Sequence, residues 1–127
     1  MDVQKLLEYK NWLVAGDVEN KSKYAYRIKE TLKKEGFNVF MLNPYSKSEN
    51  IYKSIFEIKE KIDVIDLCIN PKIGIEIVKE AYKNGINKIL IQPGAESEEI
   101  LEFCNENDIL AIRACVLTEI AYIKRKR

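Results

Sequence analysis

The sequence predicts an α/β domain built on a doubly wound, five-stranded parallel sheet, and three observations point to it. Two hydrophobic periods alternate along the 127 residues: short apolar runs, and longer segments with apolar residues three and four apart. The short runs are near-continuously apolar, as parallel strands covered on both faces require. Four strand ends then carry turn chemistry, at Gly16-Asp17, Asn43-Pro44, Asn70-Pro71 and Gln92-Pro93-Gly94, where the chain of a parallel sheet leaves its carboxyl edge.

The five strands are read at Trp12 to Ala15, Phe37 to Leu42, Val64 to Ile69, Lys88 to Ile91 and Ile109 to Ile112. A short helix is expected before the first strand. After Gly16 a polar loop runs into a helix at about Ser22 or Lys23. Its Tyr24, Ile28, Thr31 and Leu32 form an apolar-leaning face, and Gly36 marks its end as a C-cap. Ile51 through Ile58 reads as a shorter helix. Asn70 as N-cap and Pro71 at the first helical position start the next one, which runs through Ile77, Val78 and Ala81 to Gly85. Ser97 caps a helix containing Ile100, Leu101 and Cys104, and Thr118 to Lys126 reads as a last helix. Right-handed crossovers predict three layers and the strand order 3-2-1-4-5. The switch point of that order lies between the first and fourth strands, so the Gly16 and Gln92 loops face each other across a nucleotide crevice.

Composition narrows the function of this single expected domain, residues 1–127. The 21 basic residues meet 20 acidic ones, which leaves no electrostatic case for nucleic acid. No apolar run is long enough to span a bilayer, and Met1 to Lys5 does not read as a signal peptide, so no membrane partner is expected. Cys68, Cys104 and Cys115 form no CxxC pair, a pattern that suits a reducing cytoplasm. The chain has no histidine. That removes Ser-His and Cys-His nucleophile pairs, histidine metal ligands and a phosphohistidine relay, and no other spacing suggests a metal site. The Lys124-Arg125-Lys126-Arg127 run reads as solvating or capping the last helix.

The first strand-to-helix junction of a parallel sheet is where backbone amides and a helix N-terminus meet a pyrophosphate. Gly16, Asp17, Val18, Lys23 and Tyr24 are therefore candidate contacts, although the loop is not GxGxxG. The second strand ends at Asn43-Pro44 without the acid that dinucleotide domains place there for the ribose hydroxyls. This weakens an NAD reading and leaves room for a phosphate on the ribose, with Lys23, Arg27 and Lys47 as nearby positive charges. Asn70-Pro71 serves as a helix cap and as a phosphate site at once. A strand-end amide at Gln92 has no evident packing purpose, while Pro93-Gly94 fixes a turn with positive φ, so this segment favours a ligand. Cys115, just past the last strand, is either a small hydrophobe or a thiol able to pair with a ligand's own thiol.

The run Lys23-Tyr24-Ala25-Tyr26-Arg27-Ile28, with Asn43-Pro44, Asn70-Pro71, Gln92-Pro93-Gly94 and Arg113-Ala114-Cys115, resembles the small single-domain CoA-binding proteins. These are stand-alone relatives of the CoA-binding domain of succinyl-CoA synthetase. The resemblance spans residues 10 to 120, and its most specific part is Gln-Pro-Gly followed by Glu96, Glu98 and Glu99. It implies a Rossmann-like fold and coenzyme A as the ligand. Many members have Gly-Ala-Ser where this chain has Gly16-Asp17-Val18; the anionic Asp17 moves the expected pyrophosphate toward the helix N-terminus. Many also read Asp-Arg-Cys where this chain has Arg113-Ala114-Cys115. The expected function is non-catalytic, cytoplasmic binding of coenzyme A or acyl-CoA through its ADP moiety. Two rivals use the same crevice: a small nucleotide-dependent or NAD(P) enzyme, and a nucleotide-sensing module that binds another protein.

Overall fold

Five strands form the sheet, β1 (Asn11–Gly16), β2 (Asn38–Leu42), β3 (Val64–Cys68), β4 (Lys88–Ile91) and β5 (Leu110–Arg113), in a computed structural model that describes residues 2–126. Met1 and Arg127, which entered the reading of the two termini, lie outside the described residues. The helices are α1 (Val3–Leu6), α2 (Tyr24–Lys34), α3 (Pro71–Lys83), α4 (Glu98–Glu106) and α5 (Val116–Lys126). Every strand pairing is parallel. The α/β, Rossmann-like class read from the sequence is the class observed.

The apolar runs of β1, β3 and β4 form strands that bury both faces, while the edge strands β2 and β5 are half-buried. Trp12 and Val14 join Val64 and Leu90 in one core, covered by Leu6 of α1, Ile28 and Leu32 of α2 and Val116 of α5. Leu13 and Ala15 join Ile65, Leu67, Ile89 and Ile91 in the other, covered by Val78 of α3 and Ile100 of α4. Full burial of one such large side chain contributes roughly 1.5–3 kcal/mol. The caps read from the sequence are in place. Asn70 Oδ1 accepts from the Lys72 N–H at 2.9 Å, and Ser97 Oγ accepts from the Ile100 N–H at 3.2 Å. Gly36, just past α2, has the positive φ of +93° that a C-terminal turn requires.

One strand sits elsewhere than expected. The order is β2-β1-β3-β4-β5, so β3 lies between β1 and β4. The cause is the face taken by the connection from β2 to β3. α2 covers the face of Trp12 and Val14, whereas Ile55 and Ile62 of the second connection pack into the opposite core. A right-handed crossover on the opposite face steps in the opposite direction, which carries β3 back past β1. That connection is also not the short helix expected at 51–58. A single 3-10 turn covers Ile55–Glu57, because the backbone of Tyr52 extends β2 instead: its N–H donates to Met41 O and its carbonyl accepts from Asn43 N, both at 2.9 Å. The topological switch point consequently lies between β1 and β3. Gly16 stands in register with Cys68, not opposite Gln92. Among the described residues no helix is long and apolar enough to cross a membrane.

Candidate ligand-binding site

The carboxyl edge of the sheet carries three adjoining spaces. The first, about 190 Å³, is lined by Tyr24, Cys68, Gln92, Pro93 and Cys115. The second, about 240 Å³, shares Cys68 and Pro93 with it and adds Asn70 and Gly94. The third, about 430 Å³, shares Ile69 with the second and runs between Asp17, Asn43 and Lys47. The sequence-predicted residues Tyr24, Gln92, Pro93, Gly94, Cys115, Asn70, Asp17 and Asn43 are therefore brought to one edge. Lys23 and Arg27 line none of the three spaces; both are exposed near the start of α2. Pro44 and Pro71 are half-buried beside Asn43 and Asn70.

Two loop residues are not offered to a ligand in the way their sequence suggests. Val18 is wholly buried in the core beneath α2, and its N–H donates to Gly16 O at 2.9 Å. Gly16 is buried, and a Cβ there would collide with the Cys68 carbonyl and stand 2.9 Å from the Ala25 Cβ. The glycine is required by the close approach of β3 and α2, before any ligand is considered.

α2 differs from α3 and α4 in how its N-terminus is capped. Asn70 and Ser97 place side-chain acceptors over the first turns of α3 and α4, but Lys23 at the N-cap of α2 makes no side-chain capping bond. The first-turn N–H groups of α2 thus lack intrahelical acceptors and a side-chain cap. Tyr24 is 63% exposed, with the Arg27 guanidinium 5.2 Å from its ring centroid. Asn43 Oδ1 accepts from the Tyr45 N–H at 3.0 Å, and Gly94 has the expected positive φ, +91°.

Gln92 does have a packing purpose. Only 4% exposed, it donates through Nε2 to both carboxyl oxygens of Asp66, at 3.0 and 2.9 Å. Asp66 itself is fully buried in β3. Burial pushes its carboxyl up to about 7, with the Gln92 hydrogen bond acting in the lowering direction. Burial likewise pushes the Cys68 thiol up to about 12, with smaller contributions from Asp66 and Cys115. Sequence reading passed over both residues, although an acid inside the apolar run Val64-Ile65-Asp66-Leu67 is a visible signal. Among the described residues no group of histidine, cysteine or acidic side chains is placed to hold a metal ion.

Residues 10–121 match the profile of the CoA binding domain. The chain belongs to that family. Its fold is shared with solved structures. A conserved hypothetical protein from Pyrococcus furiosus is 33% identical with a TM-score of 0.80, over 87% of this chain and 99% of that one. A hypothetical protein from Pyrococcus horikoshii OT3 is 25% identical with a TM-score of 0.78, over 87% of this chain and 80% of that one. A protein from Thermus thermophilus, at 20% identity, is alike in fold, with a TM-score of 0.82 over 96% of this chain and 98% of that one. No curated protein matches. The place of this CoA binding domain among its relatives thus agrees with the resemblance read from Tyr24-Ala25-Tyr26-Arg27 and Gln92-Pro93-Gly94.

Proposed function

We propose that this domain binds coenzyme A, free or acylated, through its ADP end at the carboxyl edge of the sheet, and that it performs no chemistry on the ligand. The observation that carries the reading is the open N-terminus of α2. Its first-turn N–H groups stand beside the Gly16 turn without a side-chain cap, while Asn70 and Ser97 close those of α3 and α4. An uncapped helix start next to a β1 turn is suited to a pyrophosphate. Membership of the CoA binding domain family supports coenzyme A as the nucleotide.

The end of β2 favours the same ligand. Asn43 follows Leu42 and uses its Oδ1 on the Tyr45 N–H, so the acid that grips a free ribose diol is not there. Asn43 itself sets no carboxylate against a phosphate on the ribose, and Lys47 lines the same space beside Asp17 and Glu19. The non-catalytic part of the reading is supported by a chain without histidine and by the Cys68 thiol, which burial keeps protonated near neutral pH. Three cysteines stand unpaired, which supports a cytoplasmic setting.

Calorimetric titration of the protein with coenzyme A, NAD and ATP tests the proposal. Coenzyme A is expected to bind most tightly, and NAD binding tightest would sink it. Turnover of an acyl-CoA on incubation with the protein would overturn the non-catalytic part.

A further inference from the structure

Asp66 lies in the middle of β3, with Val14 and Leu90 as its partners in register on either side. Ala25 and Ile28 of α2 and Val116 and Ile120 of α5 belong to the core on the same face. Among the described residues no cation stands within ion-pair distance of it. The titratable groups nearby are Cys68 on its own strand, and Tyr24 and Cys115, which border the same cavity.

An amide has two chemically opposite ends. Gln92 Nε2 is held by both oxygens of Asp66. Gln92 Oε1 receives no hydrogen bond from the described residues, and no buried side-chain polar atom among them lacks a partner. The oxygen is therefore open to the 190 Å³ cavity that Gln92 lines. This orientation belongs to the carboxylate, which has acceptors only and demands N–H groups. A carboxylic acid has a proton to donate, and the acceptor within reach is the other end of the same amide. The pair then closes as a two-point ring: the acid O–H donates to Gln92 Oε1, the acid carbonyl accepts one Nε2–H, and the second Nε2–H is freed.

We infer that Asp66 sets the hydrogen-bonding sense of this cavity. As a carboxylate it presents the Gln92 oxygen as an acceptor, and as a carboxylic acid it withdraws that oxygen and presents an N–H. Asp66 touches no occupant; it is a positioning residue acting through Gln92. A ligand group with an N–H or S–H donor suits the first state, and one with a carbonyl oxygen suits the second. Both states are populated near neutral pH, because burial holds this carboxyl near 7. The inference rests on the coenzyme A reading only for the ligand used in the last step of its test.

The deciding experiment follows the Gln92 side-chain amide and the Asp66 carboxyl carbon by NMR in the free protein between pH 5.5 and 8.5. Both signals are expected to titrate together with a midpoint within about one unit of 7. The amide should become pH-independent in Asp66→Asn. A flat Gln92 amide in the wild type overturns the inference, and so does a titration that persists in the variant. If the variant does not fold, the paired wild-type titrations still decide. With coenzyme A as the probe, the ratio of wild-type to variant affinity should change about threefold or more between pH 6 and pH 8, the scale of one hydrogen bond. An unchanged ratio overturns the part Asp66 plays in recognition. Absence of any coenzyme A binding sinks the functional reading alone, because the amide titration is read without ligand.

Discussion

The carbonyl oxygen of Cys68 occupies the space that a side chain on Gly16 would need, and the methyl of Ala25 closes it from the helix side. These two strand ends, in register across the switch point, bring the backbones of β1 and β3 and the Ala25 methyl of α2 into close approach where the site begins. A glycine here serves the fold before it serves a ligand.

Gly16→Ala is accordingly expected to destabilise the protein by about 1–3 kcal/mol or more, since the obstacle is backbone that cannot rotate away. Urea unfolding measures it. An unchanged midpoint would show that β1 and β3 separate freely at this point.

Gln92→Ala removes the hydrogen-bond donor found on the buried Asp66 carboxyl. A loss of about 1–3 kcal/mol is expected, larger at pH 8 than at pH 5, because Gln92 stabilises the charged form. Equal losses at the two pH values would separate Gln92 from the ionisation of Asp66.

Asp66 also ties the stability of the whole fold to pH. Its carboxyl titrates near 7 in the folded protein, against an ordinary value of 3.8. Between these values the unfolded chain is ionised while the folded one holds its proton, so stability falls as pH rises from about 4 to about 7 and then levels. A gap of about three pH units corresponds to a loss on the order of 4 kcal/mol. Asp66→Asn should flatten this slope in denaturation series at pH 5 and pH 8; a variant that keeps the full slope would assign it to another group.

Lys23→Asp places an acceptor over the first turn of α2, which has none from its N-cap. Stability should rise by about 0.5–2 kcal/mol, as for an ordinary N-cap, and coenzyme A affinity should fall because the carboxylate takes the phosphate's place. Tighter binding in this variant would move the pyrophosphate away from α2.

Much of the fold was legible because its signals are local. Asn70, Pro71 and Gly85 bound a helix through contacts only a few residues long, and Trp12 to Ala15 announce a doubly covered strand by composition alone. The place of β3 was not legible. It depends on which face the connection after Asn43 takes, and Ile51, Ile55 and Ile62 stand at helical spacing in the sequence yet pack into different cores. Tyr24, Gln92, Pro93 and Cys115 line one space, and their proximity was legible because strand ends of a parallel sheet share one edge. The role of Gly16 was harder, since a glycine required by a neighbouring carbonyl and one required by a phosphate look alike in sequence. The Asp66–Gln92 contact joins residues 26 apart and becomes visible only when β3 and β4 are side by side.

The strand order β2-β1-β3-β4-β5 has a consequence for how the protein is made. A nascent chain that has released residue 68 already holds both neighbours of β1, so its first strand can be paired on both edges before the second half is synthesised. β4 then adds to the open side of β3, and β5 to the open side of β4. No strand has to be wedged between two that are already paired, so synthesis from the N-terminus can lay down the sheet without breaking a hydrogen bond it has made.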